Sequence, residues 1–222
     1  MSIKENLNDV KVQLKAGVVL VAVSKTRPEE EILKAFLAGQ RDFGENKIQE
    51  LVRKMDALPE EINWHFIGGL QTNKVKYLDK RVKLVHSVDR VKLAEELDKN
   101  AQRKNYSQNC LIEINIGREV NKAGVMPEDL AELVQAVKRM DNLNVMGLMA
   151  VIPICGEEEQ RQYFTRMKLI FEDLKNHETD HFKMEILSMG MSGDFKIAME
   201  CGSTMVRIGT AIFGERDYTA KK

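Results

Sequence analysis

Residues 18–23 read VVLVAV, continuously apolar and rich in β-branched side chains. A strand with one wet face alternates polar and apolar residues, so an unbroken run of this kind predicts a parallel strand covered on both faces. The run breaks at Ser24-Lys25-Thr26-Arg27-Pro28, and the residues after it have helical character. Pro28 suits a first helical position, Glu29, Glu30 and Glu31 suit the positive end of a helix dipole, and Ile32, Leu33, Phe36 and Leu37 form a helical stripe. Together these residues make one β-loop-α unit.

The same unit recurs to the end of the chain. Strands are predicted at 42–44, 64–68, 84–88, 110–116, 145–151, 184–189 and 205–208, with helices starting at Asn46, near Thr72 and at Asp89, then covering 127–140, 157–176 and 194–199. Eight β-α units in 222 residues favour an α/β fold of the closed (β/α)8 TIM-barrel type over an open doubly wound sheet. No composition shift divides the chain, so residues 1–222 read as a single domain. The segment before Val18 is expected to add a helix at the bottom or flank of the barrel.

Charge and composition narrow the partners. Lys plus Arg and Asp plus Glu both number 34, so no net field draws in nucleic acid. The densest basic run, Lys74, Lys76, Lys80, Arg81 and Lys83, reads as the solvated face of a helix and its turn. Cys110, Cys155 and Cys201 have no CxxC or regular spacing and read as reduced thiols. No apolar run approaches the ~20 residues that span a bilayer, and the N-terminus lacks a signal-type apolar segment. A cytoplasmic location with no membrane partner is the resulting expectation, and a monomer is expected.

In a barrel, chemistry gathers at the carboxyl ends of the strands. The residues there are unusually polar: Lys25 after the first strand, Glu45 and Asn46 after the second, Gln71 and Asn73 after the third, Asn115 after the fifth, Ser188 and Ser192 after the seventh, and Arg207 in the eighth. A lysine leaving an apolar strand starts against a low-dielectric wall that favours the neutral amine, the nucleophile that Schiff-base chemistry requires. A lysine that merely snorkels to water fits the same position equally well. Glycine and hydroxyl residues follow the last two strands (SMGMSG at 188–193, GST at 202–204, Gly209-Thr210), as in loops that cradle a phosphate. A lysine and a phosphate cradle on one rim point to a phosphorylated aldehyde. Arg207 either serves that ligand or makes a structural ion pair with an acid such as Glu45 or Glu113.

His177-Glu178-Thr179-Asp180-His181 matches the HExxH zinc-peptidase pattern, yet it comes after the last apolar residues of its helix and leads into the seventh strand, which places it on the rim opposite the candidate site. No metal site is expected there. His65 and His86 read as packed, hydrogen-bonded strand histidines, and Met184, Met189, Met191 and Met199 as fillers of irregular gaps.

Taken together, LVAVSKTRP (20–28), DFGENKIQE (42–50), WHFIGGLQTNKVK (64–76), INIGREVNKAG (114–124), GLMAVIP (147–153) and LSMGMSGDFKIAMECGSTMVRIGTAIFGERDY (187–218) resemble the pyridoxal 5′-phosphate (PLP) homeostasis proteins, also called the proline synthetase co-transcribed homologues. The resemblance implies a barrel similar to the N-terminal domain of fold-type III PLP enzymes such as alanine racemase, without their second β-domain. It implies PLP as the cofactor, held as a Schiff base on Lys25, with Ser192 and the Gly209-Thr210 backbone on the phosphate, Arg207 facing the pyridine nitrogen and Asn46 lining the ring. Ser203 and Thr204 match the family's GST motif. Lys47 stands where the family pattern leads one to expect a bulky group, and Lys47 and Lys122 read either as relay amines for PLP or as solvated lysines. The implied role is a PLP carrier serving vitamin B6 and amino-acid balance, with apo PLP-dependent enzymes as recipients. A PLP-dependent amino-acid racemase and a cofactor-free aldolase using Lys25 are the competing readings. Related racemases take a second acid/base group from an additional domain, and Tyr218, the one tyrosine near the C-terminus, comes too soon after the eighth strand to reach the opposite face of the cofactor.

Overall fold

Parallel pairing runs from each strand to the next and returns from the last to the first, closing the sheet into a barrel. The structure, a computed structural model, describes residues 2–215. Its strands are β1 (Val19–Val23), β2 (Asp42–Glu45), β3 (Asn63–Phe66), β4 (Val82–Val88), β5 (Gln108–Glu113), β6 (Leu143–Met149), β7 (Phe182–Ser188) and β8 (Met205–Ile208). The helices are α1 (Ile3–Lys11), α2 (Glu29–Leu37), α3 (Ile48–Ala57), α4 (Val91–Arg103), α5 (Leu130–Val137), α6 (Glu157–Lys175), α7 (Phe195–Glu200) and α8 (Thr210–Phe213). Closure is set by β1 against β8, where Val19 meets Met205 and Val21 meets Arg207.

The strands bury both faces, as their apolar runs require. Val21, Leu84, Leu111, Met149 and Met205 form a small inner cluster that plugs the barrel, while the larger core lies between strands and helices. Gly147 serves the wall itself: at φ +146° its backbone comes so close to β7 that a Cβ would lie 1.9 Å from the Ile186 carbonyl oxygen.

Local differences from the sequence pattern have simple causes. Pro28 is the N-cap of α2 rather than its first residue, because its restricted φ serves an extended cap (φ −68°, ψ 160°) as well as a helical one. The segment after β3 forms a 3-10 turn over Thr72–Tyr77 in place of an α-helix. The extra helix α1 packs on the flank, with Asn6 Nδ2 donating to the Ile212 carbonyl at 3.0 Å. Among the described residues no helix is long and apolar enough to cross a membrane.

Candidate ligand pocket at the barrel rim

Lys25 leaves β1 in a turn that is held from both sides. The Ser24 hydroxyl donates to Glu45 Oε1 at 2.6 Å, Lys54 Nζ donates to the Ser24 carbonyl at 2.8 Å, and the Thr26 N–H donates to Glu50 Oε1 at 2.7 Å. Lys54 also bridges Glu45 and Glu50, at 2.7 Å to each. Thr26 sits at φ +66°, a conformation disfavoured for a β-branched residue, directly beside the candidate nucleophile. Side chains of Lys54 and Glu45 are fully buried. Burial raises the Glu45 carboxyl to about 7 against the opposing pull of Lys54 and Ser24, and its Oε2 finds no donor.

β1, β8 and β7 are successive neighbours, so the turn carrying Lys25 shares a rim with the loops that follow β7 and β8. A cavity of about 290 Å³ there is lined by Lys25, Ser192, Arg207, Gly209 and Thr210, the residues that sequence reasoning brought forward. Val23, Arg27, Met191 and Gly193 complete its wall. Its size is at the small end of the range for small-molecule pockets, ~300–1,000 Å³. The larger groove of about 700 Å³ between α5 and α6 is lined by Leu130, Val134, Leu169 and Ile170 and contains none of these residues.

Arg207 is almost wholly buried, and neither acid considered as its partner pairs with it directly. It donates instead from Nη1 to the Ser188 carbonyl (2.8 Å) and hydroxyl (2.6 Å) and from Nη2 to the Ala150 carbonyl (2.9 Å). Burial lowers it to about 10, opposed by the fields of Glu113 and Asp194, which leaves a cation at neutral pH. Glu113 is raised to about 7 by burial and by Asp89, with Arg207 opposing, and its Oε2 has no donor.

Asn46 follows β2 and lies partly buried with its Oδ1 unpartnered. Gly68 fixes its backbone, since a Cβ there would come within 2.3 Å of the Asn46 carbonyl oxygen. Other polar residues of the rim are spent on structure. Glu45 turns toward Lys54 on α3, and Asn115 ties its own loop through Glu119 and Lys122 backbone groups. Ser203, which leads into β8, has its hydroxyl 2.7 Å from the Met189 carbonyl and within 3.2 Å of those of Met205 and Leu187, so its one proton is taken by the backbone, which removes it from the phosphate set. The Thr204 hydroxyl is likewise engaged by the Leu187 N–H. Lys47 is exposed at the N-cap of α3, and exposed Lys122 pairs with Glu119 at 2.5 Å.

The HExxH residues lie in turns between α6 and β7 rather than on one helix face, with the Glu178 carboxylate accepting the Met184 N–H and His181 Nδ1 beside Asn144 Oδ1. No group of three metal-ligating side chains occurs among the described residues. Tyr218 lies outside them.

Two networks went unread in the sequence. Lys54 falls on the buried stripe of α3 with Ile48, Leu51 and Met55, and a lysine on an apolar face was the available signal. His65 and His86 were expected to be packed and hydrogen-bonded, and both are fully buried and bonded to each other, but their connection to Arg207 requires the closed barrel.

The family model for the N-terminal domain of alanine racemase matches residues 1–217. The pyridoxal phosphate homeostasis protein of Aquifex aeolicus is 45% identical over 201 residues, 90% of this chain and 87% of that one. PipY of Synechococcus elongatus has been solved without PLP (TM-score 0.91, 34% identity) and with PLP bound (TM-score 0.88, 33% identity), and both superpositions cover 96% of this chain and 100% of PipY. The alanine racemase of Corynebacterium glutamicum, 15% identical at TM-score 0.77, shares the fold over 96% of this chain and 60% of its own.

Proposed function

The chain belongs to the alanine racemase N-terminal domain family and, within it, to the pyridoxal phosphate homeostasis proteins, and we propose that it holds PLP covalently on Lys25 as a store for vitamin B6 and amino-acid balance. The observation that carries this reading is the meeting of Lys25, Arg207, Ser192, Gly209 and Thr210 around one cavity. PipY with PLP bound supports the choice of ligand. The residues lining the cavity fit the group: an amine for the aldehyde carbon, hydroxyl and backbone donors for a phosphate, and a donor-only cation for a ring nitrogen. Asn46, with its buried and unpartnered Oδ1, lies outside that lining, and its place on the ring rests on the family resemblance alone.

When bound, PLP supplies an aldehyde that amines compete for and a ring able to withdraw electrons. Lys25 would supply the amine that condenses with that aldehyde, with water as the leaving product. Arg207, still a cation at neutral pH, would face the ring nitrogen as a donor-only group and disfavour a proton there. Electron withdrawal is then limited, which suits exchangeable storage better than racemisation. The same reading takes residues 1–222 as one cytoplasmic, monomeric PLP-binding unit that serves apo PLP-dependent enzymes and binds neither nucleic acid nor membrane. Exposed Lys47 and the exposed, ion-paired Lys122 are further primary amines that would relay PLP to or from Lys25.

The purified protein is expected to show a visible absorbance band that borohydride abolishes, leaving the label on Lys25 in a peptide map. PLP-saturated protein is expected to racemise L-amino acids far more slowly than ~1 per second, the low end for ordinary enzymes. Label on another lysine would overturn the attachment, and turnover at that rate would promote the racemase.

Ser192→Ala is expected to weaken PLP retention by roughly tenfold, as loss of a charge-assisted hydrogen bond does, while Thr210→Ala, which keeps the backbone N–H, is expected to retain PLP, and urea stability in both stays within about 0.5 kcal/mol. Equilibrium dialysis measures the affinities, and an unchanged affinity in Ser192→Ala would move the phosphate elsewhere. Gly209 is a poor test position, because a Cβ there meets the Val23 carbonyl oxygen at 3.2 Å and disturbs β1 directly.

A further inference from the structure

A buried chain of hydrogen bonds crosses the barrel beneath the pocket. His65 Nε2 lies 3.0 Å from Asp42 Oδ1, His65 Nδ1 lies 2.9 Å from His86 Nε2, His86 Nδ1 lies 3.2 Å from Ser188 Oγ, and Arg207 Nη1 donates to Ser188 Oγ at 2.6 Å. β4 and β7 are not neighbours in the sheet, so the step from His86 to Ser188 passes through the interior. Asp42 begins β2 and therefore sits at the end of the barrel opposite Lys25, where it also meets the half-exposed Lys83 at 3.0 Å.

The two ends dictate the direction of every bond between them. A guanidinium only donates and a carboxylate only accepts. Burial alone would raise the Asp42 carboxyl, but His65 and Lys83 outweigh it and hold it below the usual range, so this end is an anion. Burial lowers both histidines, with Asp42 opposing at His65, while His65 and Arg207 push His86 well below its ordinary value. Both rings are thus neutral, each with one donor and one acceptor. Arg207 donates to Ser188, Ser188 to His86, His86 to His65 and His65 to Asp42, which requires the Nε2–H tautomer at both rings. No other direction satisfies all five groups.

We infer that Asp42, His65, His86 and Ser188 form a one-way relay that orients Arg207 from the far end of the barrel, making these four positioning residues for the cation at the pocket. Where PLP is concerned the inference rests on the reading of Arg207 given above. The relay itself is a property of the chain alone.

Histidine ring ¹⁵N spectra of the full-length protein test it without any ligand. The wild type is expected to show both rings neutral with protonated Nε2 and hydrogen-bonded, unprotonated Nδ1. An Nδ1–H signature at either ring overturns the relay outright. In Asp42→Ala the His86 ring, which does not touch residue 42, is expected to shift toward a tautomer mixture, whereas Asp42→Asn, which keeps an acceptor oxygen, is expected to preserve the wild-type pattern. An unchanged His86 in Asp42→Ala overturns the coupling. Ser188→Ala is the second route should Asp42→Ala fold poorly: His86 Nδ1 is expected to lose its hydrogen-bonded signature, and no change there refutes its link to the rim.

With PLP loaded, Asp42→Ala is expected to lose the ligand roughly tenfold faster and to shift its absorbance band, with Asp42→Asn resembling wild type. If PLP never binds while the tautomers follow the pattern, the proposed function fails and the relay stands. If PLP binds and both band and loss rate are unchanged in Asp42→Ala, the positioning role is overturned.

Discussion

Lys25→Ala is expected to abolish covalent PLP completely, removing both the visible absorbance band and the borohydride-trapped label, while the barrel still folds. The side chain is only half-buried and lines the rim cavity, whereas the core on either side is filled by Val21, Ala22 and the inner cluster. Truncating it therefore leaves no hole in the packing, and a rim substitution of this kind changes stability by about 0.5 kcal/mol. The turn that carries it is held by bonds from the Ser24 hydroxyl and the Thr26 N–H, which the substitution leaves in place. Residual binding through Ser192, Arg207 and the Gly209-Thr210 backbone is expected to persist as reversible retention seen by dialysis, with the spectrum of the free aldehyde in place of the Schiff-base band. A Lys25→Ala protein that kept the band and the trapped label would show that a different amine, Lys47 or Lys122, holds the aldehyde.

The barrel was legible because parallel strands buried on both faces have a distinctive text. VVLVAV and its successors mark the wall, and the polar residue after each run marks the rim. That reasoning reached Lys25, Ser192, Arg207, Gly209 and Thr210, since adjacency of the first and last strands comes from closure. It could not sort the remaining rim residues. Glu45 and Asn46 are consecutive, yet one turns to Lys54 and the other keeps an unpartnered amide oxygen, because side chains alternate sides along a strand and the phase at its end depends on register. Ser203 and Asn115 looked available for the same reason and are consumed by backbone groups. The relay was illegible in principle: Asp42, His65, His86 and Ser188 come from four different strands, and only the closed sheet puts them in line.

Lys54→Met is expected to destabilise the protein by about 3 kcal/mol at pH 8, the low end for breaking a buried ion pair, and to lower Tm by roughly 6–12 °C. Methionine matches the stem of lysine, so packing on the buried face of α3 is largely kept. The loss is the ammonium whose donors serve Glu45, Glu50 and the Ser24 carbonyl. Glu45 then keeps only the Ser24 hydroxyl, with Oε2 already unpartnered, and sits as a nearly bare charge in a fully buried position. Protonation is its escape. The folded-state Glu45 is already raised to about 7, and removing the opposing cation raises it further. The folded protein thus binds a proton that the unfolded chain releases above about pH 4.3, so stability falls as pH rises through that window and the penalty is smaller at pH 5 than at pH 8. Urea titrations at the two pH values check both size and sign. Adding Glu45→Gln removes the stranded charge and is expected to recover most of the stability. It does not restore the grip on the Lys25 turn, because the Ser24 carbonyl still lacks its donor and Glu50 no longer has Lys54 to hold it against the Thr26 N–H. Thr26, held at φ +66° at a cost of roughly 1–2 kcal/mol, is free to relax and takes the aim of Lys25 with it. The double variant is therefore expected to fold well and still trap less PLP under borohydride than the wild type. Full trapping in a stable double variant would mean that the buried triad supports the fold alone.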